Sequence, residues 1–227
     1  MNLKKISAVL AASLMICTAI TSCGGKKKKS GNTSGYVNKT ASDTPVVQDG
    51  SAVAVQSGQA YLEIRDAKGN NQYLGTVNEN LSYNAVVADI TGNGSYTVSV
   101  TADSDGFRTN AGGNPDNYNV KPEGLMYAAL KIKNGAADCP TAVLTIDSIE
   151  VDGKALPLAA KNYTFTENKT DIKSNIFNEW ATMIPDGAVS AEGPVADGAA
   201  GYSSVLVSED DFASWTKVTV KFTVSGL

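Results

Sequence analysis

Histidine is missing altogether from the 227 residues, so a Ser-His-Asp triad, a Cys-His dyad, a histidine zinc site and a histidine general base are all excluded from this chain alone. Much of common enzymology goes with it. Three cysteines are too few for a disulfide-stapled scaffold, and 19 Lys plus Arg against 23 Asp plus Glu leave a net charge of −4, without the basic surplus of a nucleic-acid binder. Aromatic residues make up only 7% and tryptophans number two, which is modest for a tight binder of crystalline polysaccharide. No P-loop, G-x-S-x-G or CxxC pair is found. What remains, 42% hydrophobic and 19% charged, suits one ordinary globular domain with appendages.

One long apolar run is present, from Ile6 to Ile20 behind Lys4 and Lys5, and it has the form of a secretory signal peptide. It is shorter than the roughly 20 residues a permanent span requires, which makes a transmembrane helix the lesser alternative. The sequence Ile20-Thr21-Ser22-Cys23 resembles a bacterial lipobox, which implies cleavage after residue 22 and lipid on Cys23, with an ordinary signal peptide as the competing reading. Cys17 then leaves with the signal and Cys139 remains as a lone thiol, expected to be packed. Residues 24–59, rich in Gly, Ser, Thr, Asn and Lys, form an expected tether with an end-to-end distance of about 30 to 35 Å. Lys26 to Lys29 fall where they would meet anionic headgroups, or simply keep the spacer hydrated. The expected organisation is a signal at 1–22, a lipidated Cys and tether at 23–59, and a domain at 60–227, lipid-anchored outside the cytoplasm. That domain has 12 cations against 21 acids, hence −9, a balance that repels nucleic acid and anionic glycans.

Within the domain, apolar and polar residues alternate in short runs bounded by turn residues. Ala60 to Ile64, Asn84 to Asp89, Ser95 to Thr101, Leu125 to Lys133, Ala142 to Val151 and Trp215 to Val224 read as strands. In the last, Val218, Val220, Phe222 and Val224 share one face, and Lys217, Thr219, Lys221 and Thr223 the other. Asp152-Gly153 is expected to be a hairpin turn. Many short strands without long alternating helices predict an all-β, antiparallel β-sandwich, jelly-roll-like. One short helix is predicted over Ser174 to Gly187, where Ile176, Phe177, Trp180, Met183 and Ile184 follow helical spacing and Pro185 ends the run. Trp180, on that stripe, is expected in the core, and Tyr96, Tyr127 and Tyr163 are expected to pack.

The segments Ile146-Asp147-Ser148-Ile149 leading into Val151-Asp152-Gly153-Lys154, Phe177-Asn178-Glu179-Trp180, and Phe222-Thr223-Val224-Ser225-Gly226 resemble β-sandwich modules appended to secreted glycoside hydrolases of gut and rumen Firmicutes. The resemblance spans nearly the whole domain and implies a carbohydrate-binding-like unit, here without a catalytic partner. Leu74 stands where that family carries a Trp after the Tyr.

Sugar-binding surfaces set an aromatic ring beneath the C–H face of a pyranose and amide or acid groups around its hydroxyls. Tyr73 beside Gln72, Tyr83, and Tyr118 beside Asn117 lie in polar surroundings of that kind and are the candidate ligand-binding residues. Asp103, Asp105 and Asp116 supply hard oxygen donors, so a structural calcium ion is the candidate cofactor, against the reading that they are solvated turn residues. Glu150-Val151-Asp152-Gly153-Lys154-Ala155 approaches the E-x-D-x-x-E pattern of β-jelly-roll glucanases but has Ala155 in place of the second Glu. The expected function is therefore non-catalytic binding of a poly- or oligosaccharide by a monomeric surface lipoprotein, with the membrane met through the lipid. The alternative is a structural or adhesive surface protein that recognises another protein.

Overall fold

The computed structural model describes residues 53–65, 76–77, 81–82, 85–101, 107–109, 117–120 and 124–227. The chain runs through β1 (Val53–Ala54), β2 (Gln59–Arg65), β3 (Thr76–Val77), β4 (Leu81–Ser82), β5 (Ala85–Val86), β6 (Ala88–Asp89), β7 (Gly94–Thr101), β8 (Phe107–Thr109), β9 (Asn117–Val120) and β10 (Tyr127–Ile132). A four-residue helix, α1 (Gly135–Asp138), leads to β11 (Val143–Val151), β12 (Lys154–Ala155), β13 (Phe165–Glu167), β14 (Asp171–Phe177), β15 (Val189–Ser190), β16 (Gly193–Pro194) and β17 (Lys217–Ser225). No helix among these residues is long and apolar enough to cross a membrane.

Two five-stranded antiparallel sheets make the body, in the orders β13-β14-β10-β2-β6 and β12-β11-β17-β7-β5. Strand β17 shows why they pack. Val218, Val220, Phe222 and Val224 are at most 2% exposed, whereas Lys217 and Lys221 on the opposite face are open to solvent. The buried row meets Leu62, Ile64, Leu130 and Ile132 of the other sheet in one continuous core, giving the all-β sandwich that the alternation predicts. Each of the six predicted strand regions contains strand. Tyr96 stacks on Phe222 with ring centroids 5.8 Å apart, and Tyr127 and Tyr163 are buried. Cys139 is buried too, in that same core.

At the β11–β12 hairpin, Val151 pairs with Lys154 across a two-residue loop in which Asp152 (φ 49°) and Gly153 (φ 81°) both adopt the left-handed conformation. That is the geometry a type I′ turn needs, and Asp-Gly supplies it cheaply. The Asp152 carboxylate also accepts hydrogen bonds from Thr216 N (3.0 Å), Thr216 Oγ1 (2.7 Å) and Lys217 N (2.7 Å), which pins the start of β17. Glu150, the other acid of the incomplete glucanase pattern, is paired with Lys221 at 2.5 Å.

The segment Ser174 to Gly187 is not the predicted helix. Ser174 to Phe177 completes β14, and turns and irregular backbone follow as far as Gly187. The spacing misleads because β14 is buried on both faces although four of its seven residues, Asp171, Lys173, Ser174 and Asn175, are polar, so the hydropathy pattern does not report the burial. The polar residues in it have partners instead. Lys173 pairs with Glu167 at 2.5 Å, and the fully buried Lys131 on the neighbouring strand meets Glu167 at 2.7 Å, Glu63 at 3.2 Å and Asp171 at 3.7 Å. Burial pushes the Glu167 carboxyl up, but the bonds from Lys131 and Lys173 outweigh it and hold it below the usual carboxylate range. Helix α1 escapes sequence reading because four residues carry no periodicity.

Candidate functional site

On the side of β11 away from β17, β12 pairs only with Glu150 and Val151, so the backbone groups of Leu144 and Ile146 need other partners. Asn162 and Thr164 provide them. Leu144 N donates to Thr164 Oγ1 at 2.8 Å, Ile146 N donates to Asn162 Oδ1 at 2.9 Å, and Asn162 Nδ2 returns a bond to Leu144 O at 2.7 Å. Asn162 Nδ2 also reaches Ser174 Oγ at 2.8 Å, linking the two sheets. Two side chains thus stand in for a missing strand and close the edge. The chain from Lys161 to Thr164 is held in place by these bonds, and it forms the wall on which two clefts open.

The larger cleft, of 480 Å³, has Leu144, Ile146 and Asn162 at its buried floor and Lys161, Glu192 and Tyr202 at its more exposed margin. Lys161 Nζ donates to Glu192 Oε1 at 2.5 Å, and the ammonium lies 5.9 Å from the Tyr202 ring centroid. Tyr202 OH donates to Glu192 Oε2 at 3.1 Å and shares a 3.0 Å bond with Ser190 Oγ. The bond from Lys161, then that from Tyr202, lowers the Glu192 carboxyl, and the same carboxylate raises the Lys161 ammonium.

The smaller cleft, of 310 Å³, lies across Tyr202 and is lined by Tyr163, Thr182, Met183, Asp197 and Ser203. Burial, the largest influence, raises the Tyr163 phenol above its ordinary value of 10.0. Trp180 precedes Ala181, which lines this cleft, in the chain. The sequence places it in the core; the structure leaves 61% of it exposed, with Met183 at 68%. Its loop is nevertheless firmly held. Asn178 Oδ1 accepts from Trp180 N at 3.2 Å, and Asn178 N donates to Ser204 O at 3.0 Å. Ser204 Oγ lies 3.0 Å from both Asn178 O and Ala181 O, and Ile184 N donates to Asp197 Oδ1 at 2.9 Å. A large ring therefore faces water on a backbone that has little freedom to fold it inward. Such a surface can take the flat face of a ligand at little cost in backbone ordering.

The residues selected from sequence fare differently. Cys23, Gln72, Tyr73, Tyr83, Asp103, Asp105 and Asp116 lie outside the described residues. Asn117 and Tyr118 fall on β9, whose backbone pairs with β8. Among the described residues, no group of three or more His, Cys, Asp or Glu is arranged to hold a metal ion. The sequence signal for this surface is Phe177-Asn178-Glu179-Trp180, masked in the linear pattern because Trp180 also falls on an apolar stripe of helical spacing. The chain matches no protein-family model, no curated protein and no solved structure.

Proposed function

We propose that this chain is a lipoprotein of the outer face of the bacterial cell membrane, anchored through Cys23, whose β-sandwich head binds carbohydrate without catalysis. One observation carries the reading: Trp180 is 61% exposed on a loop fixed by hydrogen bonds to Asn178, Ser204 and Asp197. Exposing an indole opposes the hydrophobic effect, and a preformed aromatic platform is the feature a sugar face stacks on. The two clefts, one of them lined by Ala181 next to Trp180 in the chain, add hydroxyl, carboxylate and ammonium groups for the hydroxyl rim of a sugar. The signal segment, the Cys23 context and the polar tether support the location.

The test is a glycan array probed with the mature chain carrying Cys23→Ser, with and without chelator, beside the same chain carrying Trp180→Ala. Binding to neutral poly- or oligosaccharides is expected, weakened about tenfold or more by loss of the indole. A chelator-sensitive signal would assign calcium to the head. No response to any sugar would overturn the proposal and favour the adhesive alternative, for which Met183 beside Trp180 offers an apolar contact.

A further inference from the structure

We propose that the 480 Å³ cleft bounded by Lys161, Glu192 and Tyr202 is a second subsite for a neutral sugar ring, occupied by the same glycan chain that rests on Trp180. This rests on the carbohydrate reading and adds to it a place and a charge class.

The cleft has the size of a small-ligand site, for which about 300 to 1,000 Å³ is usual. Its composition is divided as a pyranose is divided. Leu144, Ile146, Leu158 and Ala160 give apolar surface for ring C–H groups. Ser190, Glu192, Lys161 and Tyr202 form a connected set of donors and acceptors in which each group already holds another in place. A hydroxyl both donates and accepts, so it can join this network at Glu192 and Lys161 together. A purely anionic or purely cationic group could satisfy only one of them.

Charge narrows the ligand further. Lys161 and Glu192, the charged residues lining the cleft, cancel one another, and the charged group lining the adjoining cleft, Asp197, is negative and exposed. A uronate or sulphated glycan would be repelled, and a cationic ligand would have to displace Lys161 from Glu192. A peptide that added itself as a strand would need open backbone groups on β11. Asn162 and Thr164 have already taken those of Leu144 and Ile146. Tyr202 lines both this cleft and the smaller one, whose lining also includes Ala181, next to Trp180 in the chain, so the two clefts adjoin and lead toward the loop that carries the platform.

The experiment measures affinity of the mature Cys23→Ser chain for gluco- and xylo-oligosaccharides of two to six units, with oligogalacturonides of the same lengths as anionic counterparts. Glu192→Gln alters an exposed residue and leaves the fold intact; Tyr202→Phe removes only a hydroxyl. Each is expected to weaken hexamer binding about fivefold and to reduce the gain in affinity with chain length, while the oligogalacturonides bind more weakly than the neutral series throughout. Unchanged hexamer affinity in both variants, with Trp180→Ala still impaired, would overturn the subsite and leave the carbohydrate reading standing. Tighter binding of oligogalacturonides would overturn the neutral assignment. No binding of any oligomer would remove both.

Discussion

Replacing Asn162 with Ala tests the idea that a side chain substitutes for a strand along β11. Asn162 is 7% exposed and makes three bonds, to Ile146 N, Leu144 O and Ser174 Oγ. Truncation leaves the Ile146 amide with no acceptor. Leu144 O keeps a 3.1 Å bond from Thr164 Oγ1, so it is weakened rather than orphaned. A buried unsatisfied donor costs about 1 to 3 kcal/mol, and loss of the remaining two bonds adds about 1 kcal/mol or more, giving about 2 to 4 kcal/mol in all. At about 2 to 4 °C per kcal/mol for a domain of this size, the melting temperature should fall by about 5 to 15 °C. Urea unfolding of the Cys23→Ser chain, with the melting curve alongside, measures it. Thr164→Val should cost about 1 to 2 kcal/mol through the Leu144 amide, and the double variant should depart from additivity because both side chains bond Leu144 O. A loss below about 1 kcal/mol for Asn162→Ala would mean that water or a shift of the chain satisfies Ile146, and the strand-surrogate argument would fail.

The two tryptophans give opposite expectations from the same chemical change. Trp215 is 2% exposed and packs edge-on to Phe212 at 6.1 Å, so Trp215→Ala should cost about 3 to 5 kcal/mol, whereas Trp180→Ala should stay within about 0.5 kcal/mol. Comparable losses in a denaturant titration would show that Trp180 is structural and would remove the platform. Acid should weaken the fold. The hydrogen bonds from Thr216 and Lys217 outweigh burial and hold the Asp152 carboxyl below its ordinary 3.8, and the Glu167 carboxyl is likewise held below 4.5. Their contributions are complete above those ordinary values and disappear as pH drops through the lowered folded ones. Unfolding free energy measured from pH 6 to pH 2 should therefore decline, and Asp152→Asn with Glu167→Gln should flatten the decline; an unaltered slope in the double variant would refute the assignment.

The strands were legible where alternation marks one wet face, as in β17, or where a mostly apolar run marks burial on both, as in β2 and β10. In β17, alternate residues must differ because Val218 and Val220 enter the core while Lys217 and Lys221 do not, and that difference is written in the local pattern. The Asp152-Gly153 turn was legible for a similarly local reason, since two successive left-handed residues favour that pair. In β14 the rule fails. Its outward residues are covered as completely as its inward ones, and Lys173 and Asp171 are buried among residues from other strands. The apolar spacing from Ile176 to Ile184 does not by itself distinguish such a strand, followed by a loop, from an amphipathic helix.

The same separation governs the candidate site. Composition and local patterning determined that the domain is acidic, strand-built, preceded by a signal-like segment and without histidine chemistry. Whether Trp180 points inward or outward depends on Ser204 and Asp197, whose bonds fix the backbone from Asn178 to Ile184 across stretches of sequence that come together only on folding. Likewise Lys161, Glu192 and Tyr202 look like ordinary surface residues in the linear chain. Their mutual distances were decided by the closed edge of β11 and the β15–β16 turn, because hydrogen-bond geometry is a property of the assembled sheets rather than of residue order.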